Sequence, residues 1–202
     1  MRIRAMMFAL VATAVMGIGA SGASAATLYT DGMFNTLVAA NTAVSATATS
    51  PVVLTSATSA LNTCTSSTLS GTVTDNGSAS GRVTGNITSG SVAGCAPFSA
   101  QVTFPSAWQL TVTGTPTTTS GFTVWHAQLH NVRFDLNNGP YSGTLDGFLL
   151  RQGHDTTAGP GPAGASCLQL SDTGTLTGPL TGNGRIDTNY CFTGAAASWR
   201  LR

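Results

Sequence analysis

Apolar and polar residues alternate strictly in the stretch Trp108-Gln109-Leu110-Thr111-Val112-Thr113. Because successive side chains of a β-strand point to opposite faces, Trp108, Leu110 and Val112 would share one face and the polar residues the other. Thr and Val also favour pleated surfaces, since their branched side chains are restricted at χ1. The stretch therefore predicts a strand with one buried face, and it places Trp108 in the core.

The same alternation continues further along the chain, but its register changes twice. Apolar residues occupy Phe122 and Val124, then Ala127 and Leu129, and finally Val132, Phe134 and Leu136. A slip of one residue moves the side chains to the opposite face of a sheet. We therefore expect β-bulges, or a break in the strand, near Trp125 and Asn131.

Short strands separated by turn residues are predicted along most of the chain. The turn Asn137–Pro140 precedes a returning strand at Tyr141–Leu150. Further strands are predicted at Val52–Thr55, Thr68–Thr74, Gly81–Thr88, Ser99–Phe104, Leu168–Leu170, Gly174–Leu180, Gly184–Tyr190 and Ala197–Leu201. Phe34–Ala40 favours a short helix, and the Gly- and Pro-rich segment 152–166 favours a flexible loop. The pattern predicts an all-β fold, an antiparallel β-sandwich or β-barrel.

The amino terminus has the three-part layout of a secretory signal peptide. Arg2 and Arg4 precede an apolar run, and the small residues Ala23-Ser24-Ala25 follow it. We expect cleavage after Ala25, which leaves residues 26–202 as a single all-β domain without a membrane span. The alternative is an uncleaved anchor, although the run is shorter than the about 20 residues that cross a bilayer. The layout predicts a secreted or cell-envelope location.

Four cysteines, Cys64, Cys95, Cys167 and Cys191, lie in the expected mature chain. An even number in an exported chain predicts two disulfides. Structural zinc sites generally have two closely spaced cysteine pairs, and none occurs here. Spacing alone leaves all three disulfide pairings open.

An internal echo favours one pairing. Cys64 is followed by Gly71-Thr72-Val73-Thr74, and Cys167 is followed at the same interval by Gly174-Thr175-Leu176-Thr177. Each copy then reaches a Thr-Gly-Asn, at 84–86 and at 181–183, and ends on a cysteine. If the echo is a structural repeat, it predicts the disulfides Cys64–Cys95 and Cys167–Cys191, each of which ties one strand-turn-strand unit.

The charged residues exclude several classes of function. The formal net charge is +1, and the charged set is eight Arg and seven Asp without Lys or Glu. Such a chain has no basic surface for nucleic acid. Four of the aspartates are predicted in or beside turns, where they serve the backbone: Asp31, Asp75, Asp135 and Asp155. Neither a G-x-S-x-G elbow nor a nucleotide-binding or metalloprotease motif is present, so no cofactor is implied.

His126 and His130 are the strongest candidates for chemistry. They are four residues apart and would share a face of an unbroken strand. With Asp135 or Asp146 they could form a metal site, or a base with its orienting group in a secreted hydrolase. The alternative, which we favour, places them on the solvent side of a long hairpin, with the expected bulge separating their faces.

One aromatic residue bears on ligand binding. Trp108 and Trp199 share parity with apolar neighbours and are predicted to be in the core. Trp125 sits at the change of register beside His126, so it is the candidate for an exposed ring. A carbohydrate-binding module would present such a ring, and Trp125, His126 and His130 would then form its binding surface.

The runs Thr63–Val73, Gly94-Cys95 and Trp108–Gly114 resemble a group of small exported β-proteins of actinobacterial type. The resemblance implies export and an all-β fold, and it implies no activity. We therefore expect a non-enzymatic structural or interaction protein whose partner is a cell-envelope polymer, a glycan or a protein. The low surface charge also makes self-association plausible.

Overall fold

The computed structural model describes residues 26–202 except 32, 56–59, 120–121, 152–165, 171–174 and 180–183. The predicted signal peptide, and all of the predicted Gly- and Pro-rich loop except Ser166, lie outside the described residues. The regular elements are β1 (Leu28–Tyr29), β2 (Ala43–Ala48), β3 (Val52–Thr55), β4 (Ala60–Asn76), β5 (Val83–Ala96), β6 (Ala100–Val102), β7 (Trp108–Thr119), β8 (Phe122–Leu136), β9 (Gly139–Arg151), β10 (Ser166–Leu170), β11 (Thr175–Thr177), β12 (Arg185–Phe192), a 3₁₀ helix (Gly194–Ser198) and β13 (Arg200–Leu201).

Eight antiparallel strands close into a barrel, so the structure selects the barrel over the sandwich. The strand order is β2-β4-β5-β7-β8-β9-β10-β12, and β12 pairs back with β2. Strand β3 continues β2 between the same two neighbours, β4 and β12. Strands β6 and β11 extend the sheet beside β8 and β9, and β1 pairs with β13 in a separate two-stranded sheet. None of the described helices is long and apolar enough to cross a membrane.

The core lies inside the barrel, as the alternation around Trp108 predicts. Trp108, Val112 and Trp199 are buried, which confirms the two predicted core tryptophans. The largest fully buried side chains also include Trp125, Leu129, Tyr141 and Tyr190. Along a strand, such buried side chains share either odd or even positions, and these positions are the ones that face the barrel interior.

Both predicted disulfides are present. Cys64–Cys95 joins β4 to β5, and Cys167–Cys191 joins β10 to β12. In both cases the two cysteines are direct partners in the strand register. The sequence echo thus identified two real pairs of neighbouring strands.

Two local predictions are wrong. Phe34–Ala40 is not helical, because Phe34 has a left-handed backbone with φ 58° and Leu37 forms a β-bridge with Tyr29. The strand predicted at Ala197–Leu201 is limited to Arg200–Leu201, since the preceding residues form the 3₁₀ helix.

Of the two expected bulges, only the one at Asn131 is found on β8. Asn131 has φ 60°, and the β8–β9 register shifts between Leu129 and Val132. Around Trp125 the pairing with β9 is continuous, and the irregularity lies on β7 between Thr113 and Thr117. The apparent slip arises because Val124 and Trp125 are both buried although they are consecutive.

Candidate functional site

His126 and His130 lie on the same outer face of β8. The register with β7 is unbroken from His126 to His130, so the alternation continues through both residues. The bulge at Asn131 comes after His130. The expectation that a bulge separates the two faces is therefore wrong, while the expected position on the solvent side of a hairpin is confirmed for His126, whose side chain is 48% exposed.

Of the two aspartates considered as partners, only Asp146 approaches a histidine. Asp146 Oδ1 lies 3.7 Å from His126 Nε2 and accepts a hydrogen bond of 2.8 Å from Gln128 Nε2. His130 Nδ1 is instead 3.2 Å from Thr144 Oγ1. The two histidines therefore have different partners.

Asp135 is held elsewhere, and it lies beside the turn that follows β8, as predicted. It lies within β8, beyond the bulge. Arg133 Nε donates to its Oδ1 at 2.9 Å, and Thr103 Oγ1 donates to its Oδ2 at 2.9 Å. Through these two hydrogen bonds, the Asp135 carboxylate links β8 to the segment after β6.

Polar side chains form a continuous surface around the histidines. The register aligns His126 with Thr113 and Phe148, and Phe148 with Gln169. We call the surface the outer-wall patch, and it consists of Gln109, Thr111, Thr113, His126, Gln128, His130, Thr144, Asp146, Phe148 and Gln169. It runs across β7, β8, β9 and β10.

Phe148 supplies the aromatic ring of this patch. The residue is 38% exposed, and its ring meets that of His126 edge-on with centroids 6.3 Å apart. Trp125, the candidate for an exposed ring, is only 2% exposed and packs in the barrel core. Trp125 therefore does not offer its ring to a ligand beside His126 and His130.

The sequence does contain a signal for Phe148. Tyr141, Leu145 and Leu149 are buried and share odd positions on β9. Phe148 shares even positions with Thr144 and Asp146, so simple alternation directs it outward. Its apolar neighbours in the run Phe148-Leu149-Leu150 hide this parity from a reading by composition.

The geometry of the patch does not assemble a catalytic constellation. The carboxylate lies beside His126, whereas the hydroxyl lies beside His130, so base, orienting group and nucleophile are divided between two pairs. In the described part of the chain, no group of three or more metal-ligating side chains is found. The arrangement offers hydrogen bonds and a ring face to a partner.

A second feature lies inside the barrel. An apolar cavity with an empty volume of about 670 Å³, its opening included, is enclosed by β2, β4, β5, β7, β9, β10 and β12. Leu28 and Trp199 also line it. None of the residues of the outer-wall patch lines the cavity, so the two features are separate.

Comparisons of the chain with models of known families, with curated proteins and with solved structures find no match. No residue role can therefore be carried over to this chain from a relative. The chemistry and geometry of its own side chains have to support any function.

Proposed function

We propose that the protein is exported and acts outside the cytoplasm as a non-enzymatic interaction protein, which binds neutral glycans of the cell envelope through the outer-wall patch. The observation that carries this proposal is the exposed Phe148 ring on β9, which shares the outer face with Asp146 of the same strand and Gln128 of β8. A structural or protein-binding role in the same location is the alternative.

The two disulfides support a location outside the cytoplasm. Both join neighbouring strands, and all four cysteines are paired. Disulfides of this kind persist in oxidising compartments and are rare where thiols are kept reduced. The signal-peptide pattern that precedes Ala26 agrees with this location.

The composition of the patch supports a sugar as the partner. A pyranose offers a flat C–H face, which stacks on an aromatic ring, and hydroxyls that bond to planar carboxylate and amide groups. Phe148 supplies the ring, while Asp146 and Gln128, which are hydrogen-bonded to each other, supply the planar groups. No arginine belongs to the patch, and this favours a neutral glycan over an anionic polymer.

The outer location of the patch argues against hydrolysis. Active sites are generally concave and exclude water around the reacting atoms. Here His126 and Phe148 stand on the outside of a closed barrel and are substantially exposed. Binding without cleavage is therefore the function that the geometry supports best.

Affinity electrophoresis of the exported chain in gels that contain soluble envelope glycans tests the proposal. We expect Phe148→Ala to weaken retardation by a neutral glycan at least tenfold, which is about 1.4 kcal/mol. Gln128→Ala should weaken it less. The matched control is Leu37→Ala, which removes another exposed apolar side chain, 41% exposed, outside the patch.

Three results would overturn the proposal. The first is unchanged mobility across a broad glycan panel. The second is an equal loss in the Phe148 and Leu37 variants, which would indicate nonspecific apolar adsorption. The third is release of reducing ends that His126→Ala or His130→Ala abolishes, which would establish the hydrolase alternative instead.

A further inference from the structure

The apolar cavity is lined by inward-facing side chains, some of which are only partly covered. Leu69 and Val112 are buried in its wall. Val44, Leu110 and Phe192 also line it but remain partly exposed. These three apolar side chains point inward along their strands, and their neighbours leave part of their surface uncovered.

Two glycines explain why the barrel is hollow at this level. Gly71 stands between Leu69 and Val73 on β4, and Gly85 stands between Val83 and Ile87 on β5, and all of these residues line the cavity. A Cβ at Gly71 would collide with the Asn86 carbonyl, where the β4–β5 register shifts. The close approach of the two strands thus requires a residue without a side chain. As a result, the inward-facing residues of β4 lack one side chain that would fill the interior.

The buried hydroxyl at the cavity wall is already paired. Tyr190 lines the cavity, and its hydroxyl lies 2.7 Å from Ser67 Oγ, which donates to the Ser91 carbonyl at 2.9 Å. Burial raises the pKa of Tyr190 to about 12, as expected for a site that disfavours charge. Arginine and aspartate are both missing from the described residues that line the cavity.

An ordered water in a buried site needs two to four polar partners, which this wall does not offer. Apolar cavities of this kind stay dry and take up apolar molecules. The enclosure of the cavity, its apolar wall and its three partly exposed apolar side chains all favour an apolar molecule as the occupant.

We infer that the barrel binds one neutral, apolar small molecule, such as a long-chain alcohol or hydrocarbon, which enters past Val44, Leu110 and Phe192. This ligand site is independent of the outer-wall patch, and it does not require that the patch binds a glycan. The protein would then combine a surface that attaches it to the envelope with an interior that holds an apolar cargo.

Binding of the neutral fluorophore N-phenyl-1-naphthylamine to the chain purified from an exporting host tests this inference. We expect saturable binding of one probe per chain. At pH 7, 1-decanol should displace the probe at a concentration at least tenfold lower than decanoate, because the cavity offers no partner for a carboxylate. Phe148→Ala should leave the probe affinity unchanged, which separates this test from that of glycan binding.

A matched pair of variants on β2 locates the site. Ala46 is buried and lines the cavity, whereas Ala43 is exposed on the same strand and does not line it. We expect Ala46→Leu to weaken probe binding at least tenfold and Ala43→Leu to change it by less than twofold. An equal effect of the two substitutions would overturn the inference.

Methyl NMR of the unaltered chain gives an answer even if Ala46→Leu fails to fold. On addition of 1-decanol, the methyl signals of Val44 and Val112 should shift, and those of Leu54 and Ile186, which are buried away from the cavity, should not. Absence of saturable probe binding, displacement by decanoate as effective as by decanol, or shifts spread over all four residues would overturn the inference.

Discussion

The two disulfide-tied units share a sequence pattern and differ in what covers their glycines. In the first unit, strands β4 and β5, Gly71 and Gly85 line an empty cavity. In the second, between Cys167 and Cys191, the ring of Tyr141 from β9 packs on Gly178, and a Cβ at Gly184 would also lie 3.3 Å from that ring. Glycines of the first unit thus line the cavity, whereas these two glycines of the second unit are covered by a ring from another strand.

The two disulfides also differ in the residues that surround them. Cys64 belongs to the main core of the barrel, and Cys95 packs against it. Cys167 and Cys191 form a small separate cluster with Ala197 of the 3₁₀ helix. A repeat in sequence therefore determines which strands pair, whereas side chains from other strands determine whether the interior beside those strands is filled.

Removal of the filling ring should have the largest effect. Tyr141→Ala would create a second hollow beneath Gly178 and Gly184, and we expect a loss of about 3–5 kcal/mol in the free energy of unfolding. Urea denaturation measures it. A loss below about 1 kcal/mol would contradict the claim that Tyr141 is what distinguishes the second unit from the first.

Removal of either disulfide comes next. The bridges close loops with sequence separations of 31 and 24 residues. Because the entropy of loop closure varies only with the logarithm of length, Cys64→Ala/Cys95→Ala and Cys167→Ala/Cys191→Ala should each cost about 3–4 kcal/mol. Denaturation of both double variants checks this, and a difference above about 2 kcal/mol would show that the two packing environments outweigh the entropy term.

Alkaline pH should weaken the contact between the two units. The raised pKa of Tyr190, about 12 against 10.0, means that the unfolded chain loses this proton first. Stability should be unaffected by Tyr190 below pH 10 and should fall between about pH 10 and 12, by up to about 1.4 kcal/mol per pH unit. Denaturation curves across this range measure the slope, and Tyr190→Phe should reduce it.

Removal of single tyrosine hydroxyls should have the smallest effects, with opposite outcomes. Tyr190 hydroxyl is bonded to Ser67, so Tyr190→Phe should cost about 1 kcal/mol at neutral pH. Tyr141 hydroxyl is buried without a hydrogen-bond partner among the described residues, so Tyr141→Phe should be neutral or slightly stabilising. Thermal melts of the two variants compare them directly, and equal destabilisation would contradict the assignment.

Much of the fold could be predicted because its signals are local. Alternation around Trp108 depends only on neighbouring residues, and it identified both the strand and its buried face. The echo after Cys64 and Cys167 identified the disulfides because each bridge joins paired strands of one unit. Phe34 was misread because its left-handed backbone has no signature in the Ala- and Thr-rich sequence around it.

The candidate site was harder to predict because it depends on pairing between distant strands. His126 meets Phe148 only because the β8–β9 register places them side by side. Asp146, and not Asp135, lies beside His126, because the bulge at Asn131 separates His126 from Asp135 along β8. The inward orientation of Trp125 likewise follows from packing, since two consecutive buried residues look like a slip in register. The cavity could not be foreseen, because it arises from side chains that are missing at Gly71 and Gly85.

The small sheet of β1 and β13 has a consequence for the order of events during folding. Thr27 and Arg202 exchange two backbone hydrogen bonds, of 2.9 and 3.0 Å, and Leu28 pairs with Leu201. The first described strand thus pairs with the last described strand, and the whole barrel lies between them in sequence. Contacts of such long sequence separation form slowly, so we expect this seam to form late in folding.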